Sequence, residues 1–596
     1  MFTTRPEIRG TFGVVTSTHW VASAVGMAAL ERGGNAFDAA VACGFTLQVV
    51  EPHLNGPGGD LPAVFYSKRE DRVRVLCAQG PAPAAASIPA FRDLGLDLIP
   101  GSGFLAAVVP GAFDGWLTLL RDYGTQSLRD VLTPAIGYAR NGYPVVERIT
   151  ATVETVRELF ETEWPTSAAV YLKGGRAPQP GSLFANPVMA ETYARILAEA
   201  EAGGGSREAV IDRARAIWAK GWVAAAIHRF VHAEPLMDVS GRRHHGMLSA
   251  QDMAEWQCHY EEPTTYDYGR YRVCKGGPWS QGPALLQALA ILDGLGVADM
   301  DPHGPDFVHT VTEAIKLAFA DREAFYGDPD FVDVPMQALL SAEYNAGRRA
   351  LIGDRASLDL RAGTLPGYER SLDVALGVDA SIDPRALESM GVGEPTVSKS
   401  GVSSGDTVHM DIIDSDGNMF SATPSGGWLQ SSPIIPELGF CLGNRAQMFW
   451  LDERSPSALA PRKRPRTTLS PGFALRDGEP YMAFGTPGGD QQDQWSLLLF
   501  LHHADHGMNL QEAIDCPAFH TEHFPSSFWP RGRKPGLVVL EGRFPQATVE
   551  ALARRGHDVQ VGEDWSEGRL TAAAKDGDML KAAANPRGMQ GYAVGR

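Results

Sequence analysis

The chain has 596 residues, 44% of them hydrophobic and 21% charged, with a formal net charge of -18. That length accommodates several domains or one large catalytic unit, and the balance is that of a globular protein with a sizeable core. The acidic balance argues against nucleic acid or an anionic membrane as partner, because both are bound through clustered Lys and Arg.

The opening stretch MFTTRPEIRGTFGVV has no basic head followed by an apolar run, so no secretory signal is expected. No run of about eighteen apolar residues is available to span a bilayer. The six cysteines are scattered without a CxxC pair, which predicts reduced thiols and a cytoplasmic protein with no disulfide framework or zinc site.

The first two-thirds reads as mostly helical. Residues 21–50 carry two amphipathic runs broken at Gly33-Gly34, with a new start at Asn35. Helical periodicity also fits 111–123, 127–141, 187–201, 207–231 and 305–325, while 284–294 (ALLQALAILDG) is apolar nearly all round and predicts a buried helix. Residues 353–406 are poor in aromatics and rich in Gly, Ser, Pro and charge, the composition of an exposed, partly mobile connector. At Thr407 the pattern changes. TVHMDIIDSDGNMFSAT (407–423) reads as two strands around Asp416-Gly417, a hairpin turn, and 472–476 and 480–485 read as further strands. A boundary near 406 is thus visible from composition, and no internal repeat is.

Thr407 stands where the solvated connector meets the hairpin. A threonine hydroxyl is a weak nucleophile unless a base sits beside it, and the free α-amine of the same residue is one solution. That solution needs a chain break just before the threonine. Strands are also rich in purely structural threonines. The segment Gly485-Thr486-Pro487-Gly488-Gly489 lies between a predicted strand and a helical run starting near Asp490. Adjacent glycines let successive N–H groups converge on one point, as an oxyanion requires, or they serve a tight turn alone. It lacks the Gly-Lys-Ser/Thr ending of a phosphate loop. His502, His506, His520 and His523 lie close in sequence without an HExxH arrangement, and a solvated helix end is the preferred reading over a metal site. Asp414-Ser415-Asp416-Gly417-Asn418 has Gly at the wrong offset for a calcium loop. No GxSxG elbow is present.

Taken together, the blocks ERGGNAFDAAVA (31–42), VEPHLNGPGGD (50–60), VPGAFDGW (109–116), PAIGYARNGYPV (134–145), EAIKLAFADREAFYGDP (313–329), TVHMDIIDSDGNMFSAT (407–423), KRPRTTLSP (463–471), FGTPGGDQQ (484–492) and LQEAIDCPAFH (510–520) resemble the γ-glutamyltransferase family of N-terminal-nucleophile hydrolases, nearly end to end. The resemblance implies an α/β (α+β) fold, a four-layer αββα sandwich. It implies a proenzyme cut between Asp406 and Thr407 into a large chain, 1–406, and a small catalytic chain, 407–596, which stay associated as one catalytic unit. No cofactor and no metal are implied, and the oligomeric state is left open.

The family's Thr-Thr-His nucleophile motif falls on Thr407-Val408-His409, its positioning hydroxyl on Ser425, and its oxyanion glycines on Gly488 and Gly489. The substrate positions depart from the family. Gln79 stands where relatives place an Arg that grips the γ-glutamyl carboxylate. Gln447, after Leu442-Gly443-Asn444, stands where they place an Asp for the amine, and Gly427 replaces an Asn. Thr467 and Thr468 replace paired serines, and Asn444 is kept. Loss of both charged anchors is expected to cost one to two decades or more in binding a zwitterionic glutamyl group, because hydrogen bonds to charged groups contribute about 1.5–3 kcal/mol each. The Gln79/Gln447 pair, with Trp428, Phe449 and Trp450, suits an uncharged or mono-anionic acyl group on a small amide. Arg445, Arg464 and Arg466 are candidates to take an acid group, although the basic run 462–466 reads preferentially as a solvated loop.

Overall fold

The computed structural model describes residues 2–368, 372–377 and 407–596. Asp406 and most of the expected connector lie outside them. Two seven-stranded sheets form the centre. The first runs, edge to edge, through Ile8–Gly10, Met579–Ala584, Thr571–Asp576, Glu479–Gly485, Gly472–Arg476, Tyr271–Lys275 and Thr264–Tyr268. The second runs through Tyr592–Gly595, Gly13–Ser17, Met410–Asp414, Met419–Ala422, Leu61–Ser67, Arg72–Ala78 and His259–Glu261. Every neighbouring pair in both is antiparallel.

The sheets pack face to face through Val14, Val64, Val75, Ile413 and Met419 on one side and Phe473, Ala483, Ala573 and Ala582 on the other. The outer face of the second sheet is covered by helices Trp20–Glu31, Ala36–Val50 and Ala112–Tyr123. The outer face of the first is covered by Gly282–Leu292, Pro305–Phe325 and Gln492–Ala504. The result is the expected αββα sandwich.

Local chemistry accounts for several boundaries. Asn35 caps Ala36–Val50 through a capping box with Asp38, so the chain restarts directly after Gly33-Gly34 as its residues predict. Gly282–Leu292 is buried along its whole length, again as expected. The turn between Met410–Asp414 and Met419–Ala422 carries Gly417 at φ +90°, and Asp414 accepts from the Asn418 N–H at 2.9 Å.

Three expectations are corrected. The run 207–231 is two helices, Arg207–Lys220 and Trp222–Ala233, parted at Gly221. The first two-thirds contributes seven strands to the two main sheets, which the mostly helical reading missed. Leu61–Ser67 shows why: all seven residues are buried, so no polar–apolar alternation marks it as a strand. Finally, the basic run is not a solvated loop. Arg464 is buried against Asp328 and Glu261, Arg466 against Glu323, and the Lys463 ammonium donates to the carbonyls of Pro456 and Ala458, so only Arg462 faces solvent.

Candidate active site

Thr407 lies at the entry to strand Met410–Asp414, in a bridge with Ser425, and is fully buried. Its Oγ1 is 3.1 Å from Ser425 Oγ. Ser425 is in turn held by Asp60: the Asp60 N–H donates to the Ser425 carbonyl at 2.7 Å, and the Ser425 N–H to the Asp60 carbonyl at 3.1 Å. The hydroxyl pair therefore rests on backbone from both sides of the 406 boundary.

Next along the strand from Thr407 is a closed polar network. His409 Nδ1 is 2.9 Å from Thr423 Oγ1, and His409 Nε2 is 3.0 Å from Asp411 Oδ1. Asp411 also accepts from Ser421 Oγ at 2.8 Å and Thr571 Oγ1 at 2.6 Å. All five side chains are buried, so the network is costly to break and fixes the strand that presents Thr407.

The strand that leads into the glycine turn packs on this network. A Cβ on Gly485 would lie 2.4 Å from the His409 ring, so the strand ending there packs directly on His409. Gly488 has φ +130° and Gly489 φ +54°, and a Cβ on Gly488 would meet Trp495 at 2.4 Å. Only glycine fits that turn, which leads into helix Gln492–Ala504. It is braced from below. Gln281 Nε2 donates to the Gly489 carbonyl at 3.2 Å, while Asp490 accepts from Arg322 at 2.5 Å and from Ser527 Oγ at 2.6 Å.

The predicted substrate residues divide into two groups. Gln79, Trp428 and Arg445 gather around Asp60. Arg445 Nε donates to Asp60 Oδ2 at 3.0 Å, Gln79 Nε2 to Asp60 Oδ1 at 3.4 Å, and the Arg445 guanidinium lies 5.8 Å from the Trp428 ring centre. Burial pushes the Asp60 carboxyl up to about 6, with Arg445 pulling the other way. Asn444 and Gln447 instead hold loops together. Asn444 Nδ2 donates to the Gly101 carbonyl at 2.5 Å, and Gln447 joins the Gly101 carbonyl (3.4 Å) to the Trp529 N–H (3.0 Å). Thr467 sits on Trp279 and Gln281 through backbone bonds, and Thr468 Oγ1 is buried without a hydrogen-bond partner. Gly427 adopts φ +67°, and a Cβ there would lie 2.9 Å from the Gly59 nitrogen, so the close approach of the Gly58-Gly59 backbone disfavours a side chain. Sequence reasoning missed Asp60, Asp411 and Thr571; Asp60 ends the quoted VEPHLNGPGGD block, which was its one available signal.

The sequence-adjacent histidines are dispersed in function. His520 pairs with Glu567 at 2.6 Å, and His523 accepts from the Gly536 N–H at 3.0 Å. His502 faces Cys516 Sγ at 3.8 Å. Among the described residues, two groups bring three metal-type donors together, Cys77–His259–Glu261 and His309–Glu313–His557. Each already carries a cation: Arg464 in the first, Lys316 and Arg361 in the second.

Residues 22–595 match the family model described as Gamma-glutamyltranspeptidase. The chain is 31% identical to the glutathione hydrolase-like YwrD proenzyme of Bacillus subtilis (strain 168), covering 99% of each chain. It is 31% identical to the oxamate amidohydrolase proenzyme of Klebsiella pneumoniae subsp. pneumoniae, covering 97% of each. A solved structure of LmbA2991 in a threonine-to-alanine form is 55% identical, with a TM-score of 0.93 and 100% of both chains covered.

Proposed function

The chain belongs to the gamma-glutamyltranspeptidase family and is an enzyme of it, and we propose that it is a proenzyme which cuts itself before Thr407 and then uses Thr407 as the nucleophile of a small-amide hydrolase or acyltransferase. The observation that carries this reading is the Thr407–Ser425 hydroxyl pair at 3.1 Å, at the first described residue after 378–406 and beside a glycine turn only glycine can form. In the maturation step, Thr407 Oγ attacks the carbonyl carbon of Asp406, and the peptide C–N bond breaks as the nitrogen takes the proton. Water then hydrolyses the ester, leaving a large chain of 406 residues and a small one of 190.

The α-amine so freed is the general base for the same hydroxyl, with Ser425 orienting it. Thr407 Oγ attacks the substrate amide carbonyl, the N–H groups of Gly488 and Gly489 receive the oxyanion, and the amine leaves with an acyl-threonine behind. Water gives the acid; a second amine gives transfer. Gln79 and Trp428 border the acyl site, while Asn444, Gln447, Thr467 and Thr468 shape its walls. The two chains remain joined because each main sheet contains strands from both. A cytoplasmic, reducing location belongs to the same proposal, on the scattered spacing of the six cysteines.

The printed name of one relative, a glutathione hydrolase-like protein, keeps a γ-glutamyl amide as the second substrate reading. The test of the chemistry is rapid acid quench during turnover of an acyl p-nitroanilide, followed by peptide mapping. The expected product is an acyl adduct on the peptide beginning at Thr407. An adduct on another residue, or a Thr407→Ala variant that still turns over, contradicts the reading.

A further inference from the structure

Arg445 is buried to 1% exposure, yet most of its hydrogen-bonding capacity is unspent. Nε meets Asp60 Oδ2, Nη1 has only the Met448 thioether at 3.9 Å, and Nη2 is buried with no hydrogen-bond partner. A guanidinium carries five N–H donors, and a buried ion pair normally meets them with a two-point fork to its carboxylate. Asp60 instead turns its other oxygen toward Gln79 Nε2. The neighbourhood repeats the deficit: Gln79 Oε1 and Trp428 Nε1 are also buried without partners.

The location adjoins Ser425, the hydroxyl partner of Thr407. A Cβ on Gly426, the residue after Ser425, would lie 3.2 Å from Asp60 Oδ2 and 3.8 Å from Arg445 Nη2. The other arginines of interest are engaged elsewhere, Arg464 with Asp328 and Glu261 and Arg466 with Glu323 and Ser527. A substrate ammonium finds no spare acid here, because the carboxylate of this cluster, Asp60, is already the counter-ion of Arg445.

We propose that Arg445 Nη2 receives one carboxylate carried by the acyl group of the substrate, so that the preferred substrate is the amide of a mono-anionic acyl group bearing no ammonium. The inference rests on the Thr407 reading and names the substrate class of that site. Arg445 is its specificity-determining residue, supplying at a new position the cation missing at Gln79.

The experiment compares p-nitroanilides in matched pairs: malonyl with acetyl, succinyl with propionyl, and glutaryl with butyryl, each pair differing by one carboxylate. Glutaryl is also γ-glutamyl without its ammonium, which gives a fourth comparison. Wild type is expected to favour the carboxylate member of at least one pair by ten-fold or more in kcat/KM, and glutaryl over γ-glutamyl. In Arg445→Gln that preference is expected to fall at least ten-fold, with the fall mainly in KM. A merely structural role lowers both members of a pair equally and leaves the ratio alone, so an unchanged ratio overturns the proposal. A wild-type ratio near one also overturns it. Should the Gln variant remain uncut, Arg445→Lys keeps the charge without the fork, and an intermediate ratio supports the proposal whereas an unaltered one contradicts it. Mass spectrometry of each preparation separates the two levels. An uncut wild type, or an active Thr407→Ala, refutes the nucleophile reading; a cut, Thr407-dependent enzyme with no charge preference refutes the anchor alone.

Discussion

Ser425 holds the Thr407 hydroxyl with one short side-chain contact, and Asp60 holds Ser425 with two backbone bonds. Ser425→Ala removes the first and leaves the second. Since one hydrogen bond contributes about 0.5–1.5 kcal/mol, turnover of the mature enzyme is expected to drop by roughly 2–10-fold, read as kcat on any accepted anilide. A loss of many decades would give Ser425 a chemical step of its own. Gly488 is less forgiving. At φ +130° and 2.4 Å from Trp495, an alanine there is strained and clashes at once, so Gly488→Ala is expected to lose about 1–3 kcal/mol of stability and nearly all activity. Urea unfolding beside a turnover assay checks both. At this scale, the closeness of Thr407 and Ser425 was legible only through the family resemblance, and the Gly485–Gly489 turn through its own glycines. Arg445 was legible only as a candidate. Its partner Asp60 is 385 residues away, and no local pattern announces a pair brought together by sheet assembly.

Helix Gln492–Ala504 carries the turn on one end and His502 near the other. Burial against Phe307 and Cys516 pushes His502 down to about 3, so it stays neutral in the folded chain while an unfolded histidine takes a proton below about 6.5. The unfolded state therefore binds the extra proton as pH falls from about 6.5 toward 3, and folded stability is lost at up to about 1.4 kcal/mol per pH unit for this one group. Stability measured by urea at pH 7, 6 and 5 is expected to fall less steeply in His502→Gln than in wild type; identical slopes would mean that His502 is protonated in the fold. His19, His523 and His557 are pushed down to about 3 in the same way and leave a slope in both proteins. Elements with a cap and a 3.6-residue stripe, such as Leu128–Asn141 with its Ser127 capping box, were readable from the chain. The central strands were not. Gly13–Ser17 and Leu61–Ser67 are buried on both faces, so the period of two that reveals a half-exposed strand is erased.

The sandwich depends on both sides of the 406 boundary. Met410–Asp414 lies beside Gly13–Ser17, Met419–Ala422 beside Leu61–Ser67, and Ile8–Gly10 beside Met579–Ala584. Cutting between Asp406 and Thr407 removes one covalent link from a sheet whose hydrogen bonds and inter-sheet core are intact. The two chains are therefore expected to co-elute at the mass of the whole and to unfold in one transition; separate elution, or a small chain that folds alone, would contradict the shared-sheet account. The change in composition near 406 is local in the sequence, whereas the sharing of each sheet by strands from both sides of it is a property of the fold and has no sequence signature.

The most direct test is the intact mass of freshly purified wild type beside Thr407→Ala. The 64.1 kDa chain is expected to appear in the wild type as two fragments of roughly 44 and 20 kDa, scaled by length at an average residue mass, and in the variant as one full-length species. A wild type that stays in one piece would leave Thr407 without a free amine and contradict the account at its centre.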